Sequence, residues 1–135
     1  MKVLYVCVHN AGRSQMAEAF TNAIAEKMGL PVTGISAGTE GGKTLNLVAV
    51  EVMNEVGVSL EGQAPKLITQ EMVDSSDRII SMGCGVDAST CPARFLLTED
   101  WELDDPAGKP LDKVREIRDQ IRAHVEALLL GVQRQ

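Results

Sequence analysis

The sequence predicts an α/β fold: a single domain built on a four-stranded parallel sheet with helices on both faces. Three observations carry this. Short β-branched runs alternate with segments of helical period, the first run is apolar at nearly every position, as a strand buried on both faces requires, and turn residues mark each change of period. With 44% hydrophobic content, 135 residues suffice for one core, so one domain over 1–135 is expected, with no linker, internal repeat or low-complexity segment.

Residues 2–8 (KVLYVCV) form the first expected strand. From Arg13 to Met28 the apolar positions Met16, Ala17, Phe20, Ile24 and Met28 recur at helical spacing, and Gly29 with Pro31 supplies the stop. Residues 32–37 (VTGISA) read as a second strand. A helix then presents Leu45, Val48, Ala49, Val52, Met53 and Val56 inward before Gly57, and a short helix is expected over 69–73. Residues 78–82 (RIISM) and 94–97 (RFLL) are short apolar runs bounded by turn residues, which suits central strands. A helix over 111–130 closes the chain, with Leu111, Val114, Ile117, Ile121, Val125 and Leu128 on one face.

Thirteen basic and nineteen acidic residues give a net charge of −6, which disfavours general attraction to nucleic acid or anionic lipid. An anionic ligand must therefore be held by local geometry. No apolar run approaches the roughly 18 residues of a membrane span, and a soluble cytoplasmic protein without nucleic-acid or membrane partners is expected. Three cysteines are an odd number for a disulfide framework, so each needs its own explanation.

Residues 6–15 read VCVHNAGRSQ and place Cys7 six positions before Arg13 on a strand-to-helix turn. The spacing alone is weak, but a loop leaving a buried parallel strand for a helix turns successive N–H groups inward, and the helix adds its positive end. Val8, His9, Asn10, Ala11, Gly12, Arg13 and Ser14 thus form a candidate cradle for a tetrahedral oxyanion. The planar fork of Arg13 can grip two oxygens, and the same field favours a thiolate at Cys7, which makes it a nucleophile. Asn10 is placed to brace the loop and Ser14 to donate to the Cys7 sulfur. The plainer reading of Cys7 is a buried core cysteine. His9 reads as a solvent-facing loop residue and His124 as a helix-face residue.

CVHNAGRS followed by QMAEAF resembles the low-molecular-weight phosphatase superfamily, and in particular its arsenate reductases. ISAGTE at 35–40, SMGCGVDASTCP at 81–92 and WELDDPAG at 101–108 extend the resemblance over the whole chain. It implies a low-molecular-weight phosphatase-like fold, arsenate as substrate and no tightly bound cofactor. Thiolate attack on phosphate leads to hydrolysis, whereas a thiolate adduct of arsenic(V) can be reduced by a second thiol. Cys84 follows a strand whose carboxyl end shares an edge with that of the first, which suits it to be that thiol. By resemblance to thioredoxin-coupled arsenate reductases, a Cys7–Cys84 disulfide forms, Cys91 attacks Cys84, and thioredoxin reduces the Cys84–Cys91 product. Seven positions apart, the two would stand roughly 10.5 Å apart in a helix, against a disulfide limit of about 7 Å, so residues 84–91 would have to loop back. A structural metal pair lacks further ligands nearby. Inert core cysteines fit poorly with the polar GVDAST between them.

Asp105 precedes Pro106, which restricts its backbone, and the resemblance selects it as general acid. Glu99, Asp100, Glu102 and Asp104 crowd the same stretch, and crowding by like charge would help to keep it protonated. No tyrosine follows Pro106, unlike in the tyrosine phosphatases of the superfamily, and aromatic residues are 3% of the chain, with Tyr5, Phe20, Phe95 and Trp101 the candidates for an aromatic wall. Phosphotyrosine is therefore disfavoured.

Gly12 stands where many thioredoxin-coupled relatives carry cysteine, and VHNAG is similar to the loop of mycothiol-using enzymes, whereas the gap between Cys84 and Cys91 resembles the thioredoxin type. Thioredoxin is the expected reductant and a monomer the expected state; mycothiol or glutaredoxin coupling, or a phosphatase, are the alternatives. A phosphocysteine carrier is opposed by Arg13 and a mere redox sensor by Asp105. Some relatives bind potassium beside the loop; Asn10, Glu18 and Ser36 match their ligands, but Ala64 and Lys66 replace two others, and a lysine ammonium could substitute for the cation. No metal is expected.

Overall fold

Residues Lys2–Cys7 form β1, and Val3 to Val6 are entirely buried, so this strand is covered on both faces. The computed structural model describes residues 1–40, 42–83 and 99–134. Next come α1 (Arg13–Met28), β2 (Thr33–Gly38), α2 (Leu47–Glu55), α3 (Gln70–Asp74), β3 (Arg78–Ser81), β4 (Glu99–Asp100) and α4 (Leu111–Gln133). The sheet is parallel throughout, in the order β2-β1-β3-β4, and opposite Val6 lie Ala37 of β2 and Ser81 of β3. The chain steps from β1 to one side and then crosses to the other. The carboxyl end of β1 is therefore the switch point of the topology, where an open parallel sheet forms a crevice.

Strand alternation divides the core. Val3, Tyr5 and Cys7 face a large cluster built by α1, α2 and α4, including Met16, Phe20, Val52, Met53, Ile117 and Ile121. Leu4 and Val6 face a smaller cluster with Ala37, Ile68, Val73 and Ile79 under α3. Each fully buried aliphatic or aromatic side chain is worth about 1.5–3 kcal/mol of transfer free energy. Tyr5 carries a hydroxyl into the larger cluster, bonds Thr21 Oγ1 at 2.6 Å, and its pKa is pushed up to about 12 by burial.

The apolar periods place the elements within one to three residues of expectation. Gly29, left-handed at φ 68°, ends α1, with Leu30 N–H donating to Ala25 O at 2.9 Å. Asn46 starts α2 by accepting from the N–H groups of Val48 and Ala49. The strand expected at 94–97 lies outside the described residues; among the described ones Glu99–Asp100 form β4, where two poor β-formers are held by pairing with Ile80 and Ser81 of β3.

Candidate active site

The loop between β1 and α1 sits at the switch point and lines a cavity of about 230 Å³ with Cys7 to Arg13, closed by Asn46, Asp105, Pro106 and Ala107. Asn10 N–H donates to Cys7 Sγ at 3.1 Å, and Ser14 Oγ lies 2.9 Å from the same sulfur. Asn10 is buried and left-handed at φ 56°, a conformation asparagine tolerates better than most residues, and its Nδ2 donates to Ser14 Oγ at 2.7 Å. Among the described residues, the backbone N–H groups of His9, Ala11, Gly12, Arg13 and Ser14 donate to no protein acceptor. Five open donors beside a helix N-terminus make a site for an anion.

Arg13 opens α1 and is nearly buried. Its Nη1 donates to Met82 O at 3.0 Å and Leu103 O at 2.7 Å, which fixes the guanidinium plane against the ends of β3 and of the segment after β4. Nη2 stands 3.9 Å from Asp105 Oδ2. Half of the fork is thus structural, and the other half, with the loop amides, remains for a ligand.

Asp105 is exposed at the rim, and its Oδ1 accepts from Ala107 N–H at 2.9 Å. Three of its four acidic neighbours are engaged elsewhere: Glu99 pairs with Arg78, Asp100 Oδ1 accepts from Gly83 and Glu102 N–H groups, and Asp104 meets Lys113 at 2.8 Å. The charge that faces Asp105 is the Arg13 guanidinium. Gly83 permits this packing: at φ 79°, a Cβ there would lie 2.6 Å from Leu103 N.

Of the cysteines assigned chemistry from sequence, Cys7 is in the cavity; Cys84 and Cys91 lie outside the described residues. The low molecular weight phosphotyrosine protein phosphatase family matches residues 2–135. The chain belongs to that family. Within it, the chain is 36% identical over 133 residues to the glutaredoxin arsenate reductase of Synechocystis, covering 97% of this chain and 98% of that one. A solved arsenate reductase in its phosphate-binding state superposes with a TM-score of 0.80 at 35% identity, covering 96% of this chain and 97% of the other. The thioredoxin-dependent arsenate reductase of Corynebacterium glutamicum superposes with a TM-score of 0.76 at 34% identity, over 98% of this chain and 61% of that one.

No aromatic side chain lines the cavity among the described residues: Tyr5 and Phe20 are core, and Trp101 is buried between Tyr5 and His124, on which it stacks at 4.7 Å. Phe95 lies outside the described residues. His9 is exposed at the mouth, as expected, and His124 is on the exposed face of α4. Gly12 is tight rather than spare, since a Cβ there would come within 3.1 Å of Pro106 Cγ.

Behind the loop, Ser36 Oγ donates to Glu18 Oε1 at 3.0 Å, and Lys66 Nζ lies 3.4 Å from the same oxygen. A lysine ammonium therefore stands beside Glu18, next to the loop. No cluster of three or more histidine, cysteine or acidic side chains suited to a metal occurs among the described residues, and no helix there is long and apolar enough to cross a membrane. Sequence reasoning passed over Gln15, Gln63 and Asn46. Asn46 was detectable as a capping residue before an apolar run; nothing in the local pattern marked the two glutamines.

Proposed function

We propose that this protein is an arsenate reductase in which Cys7 is the nucleophile and Cys84 and Cys91 complete a disulfide relay regenerated by thioredoxin. The observation that carries the reading is the Cys7 sulfur, held by Asn10 N–H and Ser14 at the floor of a small cavity that also presents Arg13 and Asp105. Its similarity to arsenate reductases above 30% identity over nearly the whole chain supports the substrate.

Arsenate docks with its oxygens on the loop N–H groups and the open side of Arg13. The Cys7 thiolate attacks arsenic, an S–As bond forms, and Asp105 protonates the departing oxygen, which leaves as water. Cys84 as thiolate then attacks the Cys7 sulfur; the S–As electron pair passes to arsenic, giving arsenite and a Cys7–Cys84 disulfide. Attack by Cys91 on Cys84 frees Cys7 and leaves a Cys84–Cys91 disulfide, and two electrons from thioredoxin restore both thiols. The small cavity, without aromatic walls among its described lining, suits an inorganic oxyanion better than phosphotyrosine.

The deciding experiment supplies arsenate, thioredoxin, thioredoxin reductase and NADPH. Arsenate-dependent NADPH oxidation is expected, with slow aryl phosphate hydrolysis and competition by phosphate. Fast phosphatase turnover without NADPH oxidation would overturn the reductase reading. Turnover only with glutaredoxin, which the name of the Synechocystis relative carries, or only with mycothiol, would replace thioredoxin.

A further inference from the structure

Gln15 lines no part of the cavity, is completely buried, and has no place in the reaction scheme. Its Nε2 lies 3.0 Å from Asn10 O, 2.8 Å from Asn10 Oδ1 and 2.9 Å from Ala64 O. Gln63 Nε2 in turn donates to Gln15 Oε1 at 2.6 Å and to Gln15 O at 3.2 Å.

The orientation of each amide in this chain follows from groups that have no choice. Asn10 O and Ala64 O are backbone carbonyls and can only accept, so the Gln15 atom facing them is nitrogen. Lys66 N–H can only donate, and it meets Asn10 Oδ1 at 2.9 Å, so that atom is oxygen. Asn10 Nδ2 must then be the atom at Ser14 Oγ. The serine accepts there, which leaves its one hydroxyl hydrogen available to an ionised Cys7 Sγ 2.9 Å away. With Asn10 N–H, two donors converge on the sulfur, which favours its ionised form.

We infer that Gln15 is a positioning residue that sets the protonation state of Cys7, by clamping both oxygens of Asn10 so that this left-handed residue and Ser14 both donate to the sulfur. The inference rests on the reading of Cys7 as an activated nucleophile. The clamp itself carries no charge. The titratable groups lining the cavity with Cys7 are His9, Arg13 and Asp105, and Glu18 and Lys66 pair next to Asn10; all five are kept in the variants below.

The test is peptide-resolved alkylation of Cys7 by iodoacetamide as a function of pH, on the reduced full-length chain. Gln15→Met keeps the length of the side chain and adds no charge. The alkylation midpoint is expected to rise by roughly one pH unit, a tenfold change in the thiol–thiolate equilibrium constant, the size expected for loss of a hydrogen bond to a charged group. Gln63→Met, at a half-buried position, should shift the midpoint in the same direction by less, and it carries the test should Gln15→Met fail to fold. A lower melting temperature with an unchanged midpoint in the folded variants would make Gln15 merely structural and overturn the inference, with Cys7 as nucleophile intact. A wild-type midpoint near the ordinary thiol value of about 8.5 would remove the activated nucleophile and this inference together.

Discussion

The two polar segments that meet at the cavity are built in opposite ways. In the loop from Cys7 to Ser14 and in Gln15 just beyond it, Asn10, Ser14 and Gln15 are completely buried, and their amides and hydroxyl bond one another and groups of Gln63, Ala64 and Lys66. In the stretch from Glu99 to Asp105, the Asp104 and Asp105 side chains are about two-thirds exposed, and the carboxylates of Asp100, Asp104 and Asp105 meet separate groups on Gly83, Lys113 and Arg13. A buried neutral network holds one geometry because any break leaves a desolvated polar group, at about 1–3 kcal/mol each, whereas exposed ion pairs are weak individually. The loop is therefore a fixed receptor, and the acidic segment is a wall leaned against it. Arg13 joins them through Met82 O and Leu103 O.

Removing the sulfur breaks this comparison most severely. Cys7→Ser is expected to abolish arsenate reduction and adduct formation, read by mass spectrometry of arsenate-treated protein. Arg13→Lys keeps the charge but loses the fork that serves both segments, and a loss of about 10²–10³-fold in kcat/KM is expected. Wild-type activity in Arg13→Lys would show that a point charge suffices.

On the acidic side, Asp105→Asn should lower kcat by about 10²-fold while leaving phosphate competition intact, because a general acid acts on the leaving group rather than on binding. Equal losses in phosphate affinity and turnover would instead make Asp105 part of the receptor.

A backbone change comes next. Gly83→Ala forces a Cβ to within 2.6 Å of Leu103 N at a left-handed residue, so a destabilisation of about 2 kcal/mol or more is expected in urea unfolding, with weakened arsenate turnover through the displaced Leu103 carbonyl.

The smallest effect belongs to Asp104. Its hydrogen bond and charge interaction with Lys113 hold its carboxyl below the ordinary range, so its folded pKa is lower than its unfolded one. The associated stability is present above the ordinary value of about 3.9 and is lost as pH falls through the folded value. The stability difference between wild type and Asp104→Asn should therefore be flat from about pH 5 to 8, shrink below about pH 4, and shrink in high salt. Thermal melts across pH test this; a difference that grows on acidification would contradict the pairing.

Much of the fold was legible because its signals are local. The continuous apolar run of β1, the helical period of α1 and α4, and the stops at Gly29 and Gly57 each fall within a few residues of sequence. The pairing of Glu99 and Asp100 was not legible, since they have little intrinsic preference for a strand and are recruited by an edge of β3 far away in the chain. In the acidic run, counting charges could not show that tertiary contacts give Glu99, Asp100 and Asp104 partners of their own.

By itself, the sequence determined that Cys7 and Arg13 share one strand-to-helix turn, because six residues cannot separate them in space once a buried strand precedes and a helix follows. It likewise determined which faces of the helices are apolar, since period alone sets that. Only the tertiary structure decided what those two side chains can do. The Arg13 plane is set by carbonyls 69 and 90 positions away, and the clamp on Asn10 closes through Ala64, 49 positions from Gln15. Such contacts leave no period, cap or turn signal in the chain, because a hydrogen bond between distant segments constrains the spacing of atoms and not the spacing of residues.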